Sequence, residues 1–177
     1  MNPLYQLNTR HLWVVLLLLQ IPVAFVGCKA SPSSDLLKRG GHYTRPLQAL
    51  EMSDNGPSLF NKWDDETKRD LRHALYWDFG FIPLYVSSLF IACLLAARWL
   101  GGSEILRAAF LLTAPAAGLF DFIENVILLK LIRGPTADTL VSTARISTAC
   151  KIAFLGLAAI YVLIGLLSWV YVRFIRH

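Results

Sequence analysis

The residues best suited to chemistry lie in one stretch, A-P-A-A-G-L-F-D-F-I-E-N, which runs from Ala114 to Asn125. On a helix, side chains three and four positions apart share a face, so Asp121, Glu124 and Asn125 should point the same way. Two neighbouring carboxyl groups could act as acid and base or carry a proton. The same face continues through Ala114 and Gly118, small residues that let a second helix approach closely.

This acidic stretch lies inside a long apolar run, where charged groups are costly. Runs at 79–97, 108–129 and 152–172 approach or exceed the roughly 20 residues that cross a bilayer, and a shorter run lies at 13–27. The chain is 16% charged, whereas a soluble domain is usually about a quarter charged. We predict an all-α, membrane-embedded antiparallel bundle of four transmembrane helices, or of three if the first run is a cleaved signal.

One sizeable segment lies outside these runs. We divide the chain into a first span or signal at 1–28, an extramembrane segment at 29–77 and a three-helix transmembrane bundle at 78–177. The second half of the extramembrane segment places acids four residues before bases, as at Asp64 and Lys68, together with aromatic residues. This pattern predicts one amphipathic juxtamembrane helix that runs directly into the next span.

Gly101-Gly102 and Gly134-Pro135 predict short turns, so the last three helices should be antiparallel neighbours. Counting outward from these turns places Asp121 level with Tyr85 and within a turn of Lys151. Pro115, in the middle of the third span, is expected to bend that helix. The count predicts one polar layer inside the membrane, made of Asp78, Tyr85, Asp121, Glu124, Asn125, Arg145 and Lys151.

This layer has a structural interpretation and two functional ones. In the first, Lys151 and Arg145, which is expected opposite Glu124, neutralise two acids and join the helices. In the others, a carboxyl without a full partner serves as general acid or base on a lipid headgroup, with Asp121 and Glu124 as catalytic candidates, or carries a proton for a small carrier. We expect a structural, accessory or partner-binding membrane protein, with the enzyme and the carrier as alternatives.

The distribution of charge and the absence of known motifs limit the binding partners and cofactors that the sequence predicts. The formal net charge is +5, and the basic residues lie beside the predicted spans. We therefore expect membrane lipids, a partner membrane protein or a second copy of the chain as partners, and no nucleic acid. No cysteine spacing indicates a zinc cluster, and His73 lies more than a turn outside Asp78, so neither a metal nor a cofactor is expected. The chain has no glycine-rich phosphate loop, no serine-hydrolase elbow and no inverted repeat.

Cys28 closes the first apolar run, directly after a small residue. This order is typical of a bacterial lipoprotein signal, which would be cut before Cys28 and lipidated there. We favour an uncleaved first span, because only Arg10 precedes the run and Phe25 stands where leucine is usual. The signal-like start places the termini in the cytoplasm, the orientation we favour, whereas the count of basic residues places segment 29–77 there.

Two motifs carry a resemblance to other proteins: D-x-x-F-x-x-x-Y at 78–85 and A-G-x-x-D-x-x-E-N at 117–125. With them the chain resembles a group of uncharacterised four-span bacterial membrane proteins over about residues 46–171, including Leu50-Glu51 in the first loop. The resemblance implies a multi-pass protein of the bacterial inner (cytoplasmic) membrane with a shared polar site, and implies no activity. The linker at 27–46 is longer than in that group.

Overall fold

The structure is a computed structural model that describes residues 8–30, 64–134 and 138–174. Within these ranges the chain forms four helices and no strand. In chain order they are α1 (Thr9–Ala30), α2 (Asp65–Leu100), α3 (Glu104–Arg133) and α4 (Asp138–Phe174). All four are long and apolar enough to cross a membrane. The prediction of an all-α fold with four membrane-length helices is confirmed.

Helix α2 is 36 residues long because the amphipathic segment and the second span form one continuous helix. It begins after Asp64, whose carboxylate accepts a hydrogen bond from the amide of Thr67 at 2.8 Å and so caps the helix. Asp64 therefore precedes the first turn, whereas the sequence pattern had placed it within the helix. The rest of the predicted extramembrane segment, residues 31–63, lies outside the described residues.

Short connections set the antiparallel order of the last three helices. Gly101 and Gly102 have φ angles of 67° and 93°, in the left-handed region that glycine enters without steric cost. Ser103 then caps α3 by accepting a hydrogen bond from a backbone amide. At the other end of α3, the amide of Gly134 donates to the carbonyl of Lys130 at 3.1 Å. Residues 135–137 lie outside the described part of the chain.

Helix α2 is the central element, since it contacts each of the other three helices. Helix α1 packs along the part of α2 between Trp77 and Trp99. Trp13 stacks on Trp99 with ring centroids 5.8 Å apart, and Phe25 meets Trp77 edge-on at 6.5 Å. Helices α3 and α4 pack against each other as well as against α2. The first helix is therefore part of the bundle mainly through α2.

Two apolar clusters form the core, one towards each end of the bundle. The cluster near the start of α2 includes Leu71, Leu128 and Val141. The cluster near the end of α2 includes Leu94 and Tyr161. The predicted polar layer lies between the two clusters along α2, α3 and α4, so apolar side chains flank it in both directions along the bundle.

The small residues of α3 are covered by the chain itself. A Cβ added at Gly118 would lie 2.5 Å from Cγ2 of Val86, which shows how closely α2 approaches. Ala114 and Ala117 are fully buried. This face was predicted to admit a second helix, and in this chain α2 is that helix. Helix α3 continues through Pro115 as one α-helix.

Candidate functional site

Lys151 of α4 lies between two carboxylates of α3. Its ammonium nitrogen is 3.0 Å from Oδ1 of Asp121 and 2.5 Å from Oε2 of Glu124. The two acids share a face of α3 because they are about one turn apart. Each is only 6% exposed, and Lys151 is half-buried. These three side chains, called here the Lys151 cluster, form an ion-paired group inside the bundle.

Tyr85 connects α2 to this cluster. Its hydroxyl donates a hydrogen bond to Oδ2 of Asp121 at 2.8 Å, while Lys151 donates to Oδ1 of the same carboxylate. Each oxygen of Asp121 therefore has its own donor, one from α2 and one from α4. These contacts match the register counted from the two turns, in which Asp121 is level with Tyr85 and within a turn of Lys151.

The base that contacts Glu124 in this cluster is Lys151, whereas the count had placed Glu124 opposite Arg145. Side chains on a helix lean towards its N-terminus, and lysine carries its charge on a long flexible stem. Because α3 and α4 are antiparallel, this lean brings the Lys151 ammonium from the level of Asp121 to that of Glu124. Arg145 lies nearer the start of α4 and is half-buried.

A second polar contact joins α2 to α3. The side-chain amide of Asn125 donates to Oδ2 of Asp78 at 2.6 Å. Asn125 is 1% exposed and Asp78 is half-buried. Across the three described ranges, no basic side chain lies within ion-pairing distance of Asp78. Of the three acids in the layer, Asp78 thus has a neutral partner, and Asp121 and Glu124 share a positive one.

This arrangement limits what the acids can do. An ammonium group in contact with a carboxylate in a region of low dielectric holds that side chain in one position. With both acids ionised, the Lys151 cluster would carry one surplus negative charge, and Tyr85 supplies a further donor to offset it. The cluster, with Tyr85, is therefore suited to joining three helices, whereas Asp78 pairs with the neutral amide of Asn125.

The other candidate positions are a metal site, His73 and the lipidation candidate Cys28. Within the described ranges, no group of three or more His, Cys, Asp or Glu side chains could hold a metal ion. His73 is exposed, and its ring meets the edge of Trp77. Cys28, the candidate for lipidation, is exposed and lies within α1, which continues to Ala30.

Several buried or paired polar residues were not predicted from the sequence. Ser147 and Thr148 are buried on α4, one turn before Lys151, so the helical period of that face could have found them. The amide of Gln20 donates to the hydroxyl of Ser88 at 3.4 Å, between α1 and α2. No spacing within the sequence indicates that pair, because the two helices are joined by a long segment.

Comparisons with known proteins bear on the chain as a whole. No protein-family model, no curated protein and no solved structure matches it.

Proposed function

We propose that this chain is a small multi-pass membrane protein of structural or accessory type, in which the Lys151 cluster fastens α2, α3 and α4 together. The observation that carries the proposal is the double contact of one ammonium group with Asp121 and Glu124. Acids held in this way are fixed in position and costly to leave without their partner, and they are poorly placed to take a proton from a substrate.

In a bilayer, a polar cluster of this kind can determine how neighbouring helices align. Between helices in lipid there is little hydrophobic driving force, so close packing and polar contacts must select the partner and the register. The apolar faces of α3 and α4 could slide past each other by a turn at small cost. The contacts of Lys151 with Asp121 and Glu124 favour one register, because any slip would leave charges unpaired in the membrane.

A lysine substitution tests this proposal. In Lys151→Met the two acids lose their cation, and breaking a buried pair in this way costs about 3–5 kcal/mol. We expect a large drop in Tm and in the yield of folded protein, measured by circular dichroism on the full chain in detergent. The matched control is Lys29→Met, since Lys29 is exposed at the end of α1.

A compensating variant separates a structural role from a catalytic one. Adding Asp121→Asn and Glu124→Gln to Lys151→Met removes every charge of the cluster, and such neutral replacements are often well tolerated. We expect this triple variant to recover most of the lost stability. A Lys151→Met protein with the stability of the wild type would contradict the proposal.

Asp78 favours one alternative function, a membrane enzyme that acts on lipid headgroups. It follows Trp77 in α2, a residue type that marks the membrane interface, and its partner in the described chain is the neutral amide of Asn125. A general base at that depth could reach a headgroup. If Asp78→Asn folds normally but changes the lipid composition of cells, the enzyme gains support; an unchanged composition counts against it. The proton-linked carrier has less support, because apolar clusters flank the polar layer on both sides.

We infer that the chain resides in a bacterial inner membrane with an uncleaved first span. The resemblance to four-span bacterial proteins supports the bacterial location. The packing of α1 supports the uncleaved span, since α1 contacts α2 from Thr9, which accepts a hydrogen bond from Arg98 at 3.0 Å, to Phe25 against Trp77. A lipoprotein signal cut before Cys28 would remove nearly all of these contacts.

A further inference from the structure

Among the basic side chains at one end of the bundle, Arg72, Lys130 and Arg133 have no acidic partner within the described residues. Arg133 is exposed, and its Nη2 donates to the hydroxyl of Tyr76 at 2.6 Å. That acceptor is neutral, and no acid among the described residues pairs with Arg133. Arg72 lies one turn before Tyr76 on α2, and its Nε is buried without a hydrogen bond to any described residue. Lys130 is exposed, about one turn before Arg133 on α3.

Aromatic side chains continue from this basic group towards the middle of the membrane. Phe79 follows Tyr76 by about one turn on α2 and meets Phe122 of α3 edge-on, with ring centroids 5.1 Å apart. Tyr76 and Phe122 are each 50% exposed. Leu119, one turn further inward on α3, is 58% exposed. The outer groove between α2 and α3 thus changes from cationic, through a tyrosine hydroxyl, to fully apolar.

The tryptophans show where this groove lies relative to the bilayer. At one end Trp99 contacts both Trp13 and Trp169, so three helices place tryptophan at one level. Tryptophan concentrates at membrane interfaces. The 22 residues from Trp77 to Trp99 rise about 33 Å, close to the roughly 30 Å of a hydrocarbon core. Tyr76, next to Trp77, therefore lies at headgroup depth, and Phe122 lies at the depth of the first acyl carbons.

We propose that this groove binds one phospholipid with an anionic headgroup. The two guanidinium groups hold its phosphate, because arginine presents forked donors that match phosphate oxygens and is weakly hydrated. An acyl chain lies along the aromatic pair. An anionic lipid is preferred to a zwitterionic one, whose own amine already offsets the phosphate charge. The residues of the site are Arg72, Tyr76, Phe79, Phe122, Lys130 and Arg133, and none belongs to the Lys151 cluster.

The test uses the full chain in detergent, with phosphatidylglycerol or phosphatidylcholine of the same acyl chains added, and counts bound lipids by native mass spectrometry. We expect phosphatidylglycerol to bind the wild type at least about tenfold more tightly than phosphatidylcholine, because both offer a phosphate to the arginines but only phosphatidylglycerol has a net negative charge, and a tenfold ratio needs about 1.4 kcal/mol. Arg72→Gln with Arg133→Gln should abolish the preference. The matched control, Arg10→Gln with Arg173→Gln, removes the same charge from exposed positions at the other end and should retain it.

Two further arms make the test decisive. Inorganic phosphate in millimolar excess should not displace the lipid, because the acyl contacts belong to the site; displacement would indicate a free-phosphate site and overturn the proposal. The proposal would also be overturned if the double variant kept the wild-type preference for phosphatidylglycerol, or if the control variant lost that preference as fully as the double variant. If the double variant does not fold, Arg133→Lys takes its place in the test. This variant keeps the positive charge but loses the forked guanidinium donors, so we expect it to bind phosphatidylglycerol severalfold more weakly.

Discussion

At the scale of single residues, the site depends on how many donors each buried oxygen receives. Asp121 has Tyr85 on one oxygen and Lys151 on the other, so its carboxylate is held on both sides. A buried acceptor that loses its donor retains the cost of having left water, and this cost exceeds the gain from an average hydrogen bond. Tyr85 therefore matters for its hydroxyl more than for its ring.

We expect Tyr85→Phe to lower the free energy of unfolding by about 1–3 kcal/mol, since it removes one donor from Asp121 and preserves the ring. Thermal unfolding of the full chain in detergent measures this. Tyr171→Phe is the matched control, because Tyr171 is 56% exposed at the far end of α4. Equal Tm values for the two variants would show that the hydrogen bond contributes nothing to the fold.

At the scale of helices, glycines decide how closely neighbours approach. A Cβ added at Gly165 of α4 would lie 2.6 Å from Cβ and 2.7 Å from Cα of Ala96, so α2 and α4 are almost in backbone contact there. At Gly118 the nearest atom belongs to the side chain of Val86, which can move. At Gly156 nothing lies within 4 Å. The same substitution should therefore have three different effects.

Gly165→Ala is expected to destabilise most, by about 1–3 kcal/mol, because the two helix backbones must separate. Gly118→Ala should cost less, since Val86 can change its rotamer. Gly156→Ala should be neutral or stabilising by up to about 1 kcal/mol, because alanine favours a helix over glycine. Tm values of the three variants in one detergent give the order, and a Gly165→Ala protein as stable as Gly156→Ala would contradict the close contact.

Much of this architecture could be predicted from the sequence, because the length of an apolar run and a pair of turn glycines determine helix number and register in a bilayer. The contact of Asp121 with Tyr85 and Lys151 follows from that register. The count does not predict the contact of Lys151 with Glu124, because it compares backbone levels and ignores the lean of a long lysine. The Gly165–Ala96 approach could not be predicted either, since it depends on how the helices cross.

At the scale of the whole molecule, α2 holds the other three helices together, and each uses a different kind of contact. Helix α3 accepts a hydrogen bond from Tyr85 of α2 at Asp121 and donates one from Asn125 to Asp78 of α2, whereas α4 approaches α2 closely at Gly165. Helix α1 has aromatic contacts near both ends and two polar contacts with α2, a hydrogen bond from Arg98 to Thr9 at 3.0 Å and a longer one from Gln20 to Ser88 at 3.4 Å. Helix α1 is therefore joined to the bundle by packing along its length, and it buries Leu12 against the core cluster near the end of α2.

This packing leads to a prediction about the mature protein. If α1 is a permanent part of the bundle, the intact mass of the protein extracted from membranes should include residues 9–27, and Cys28→Ser should change that mass only by the substitution itself. Processing as a lipoprotein would instead remove those residues and add a lipid at Cys28, and Cys28→Ser would prevent both changes. In that case the face of α2 beneath Trp13 and Phe25 would be left open to lipid or to another helix. We expect the first outcome, because removing α1 would strip α2 of contacts at both membrane interfaces.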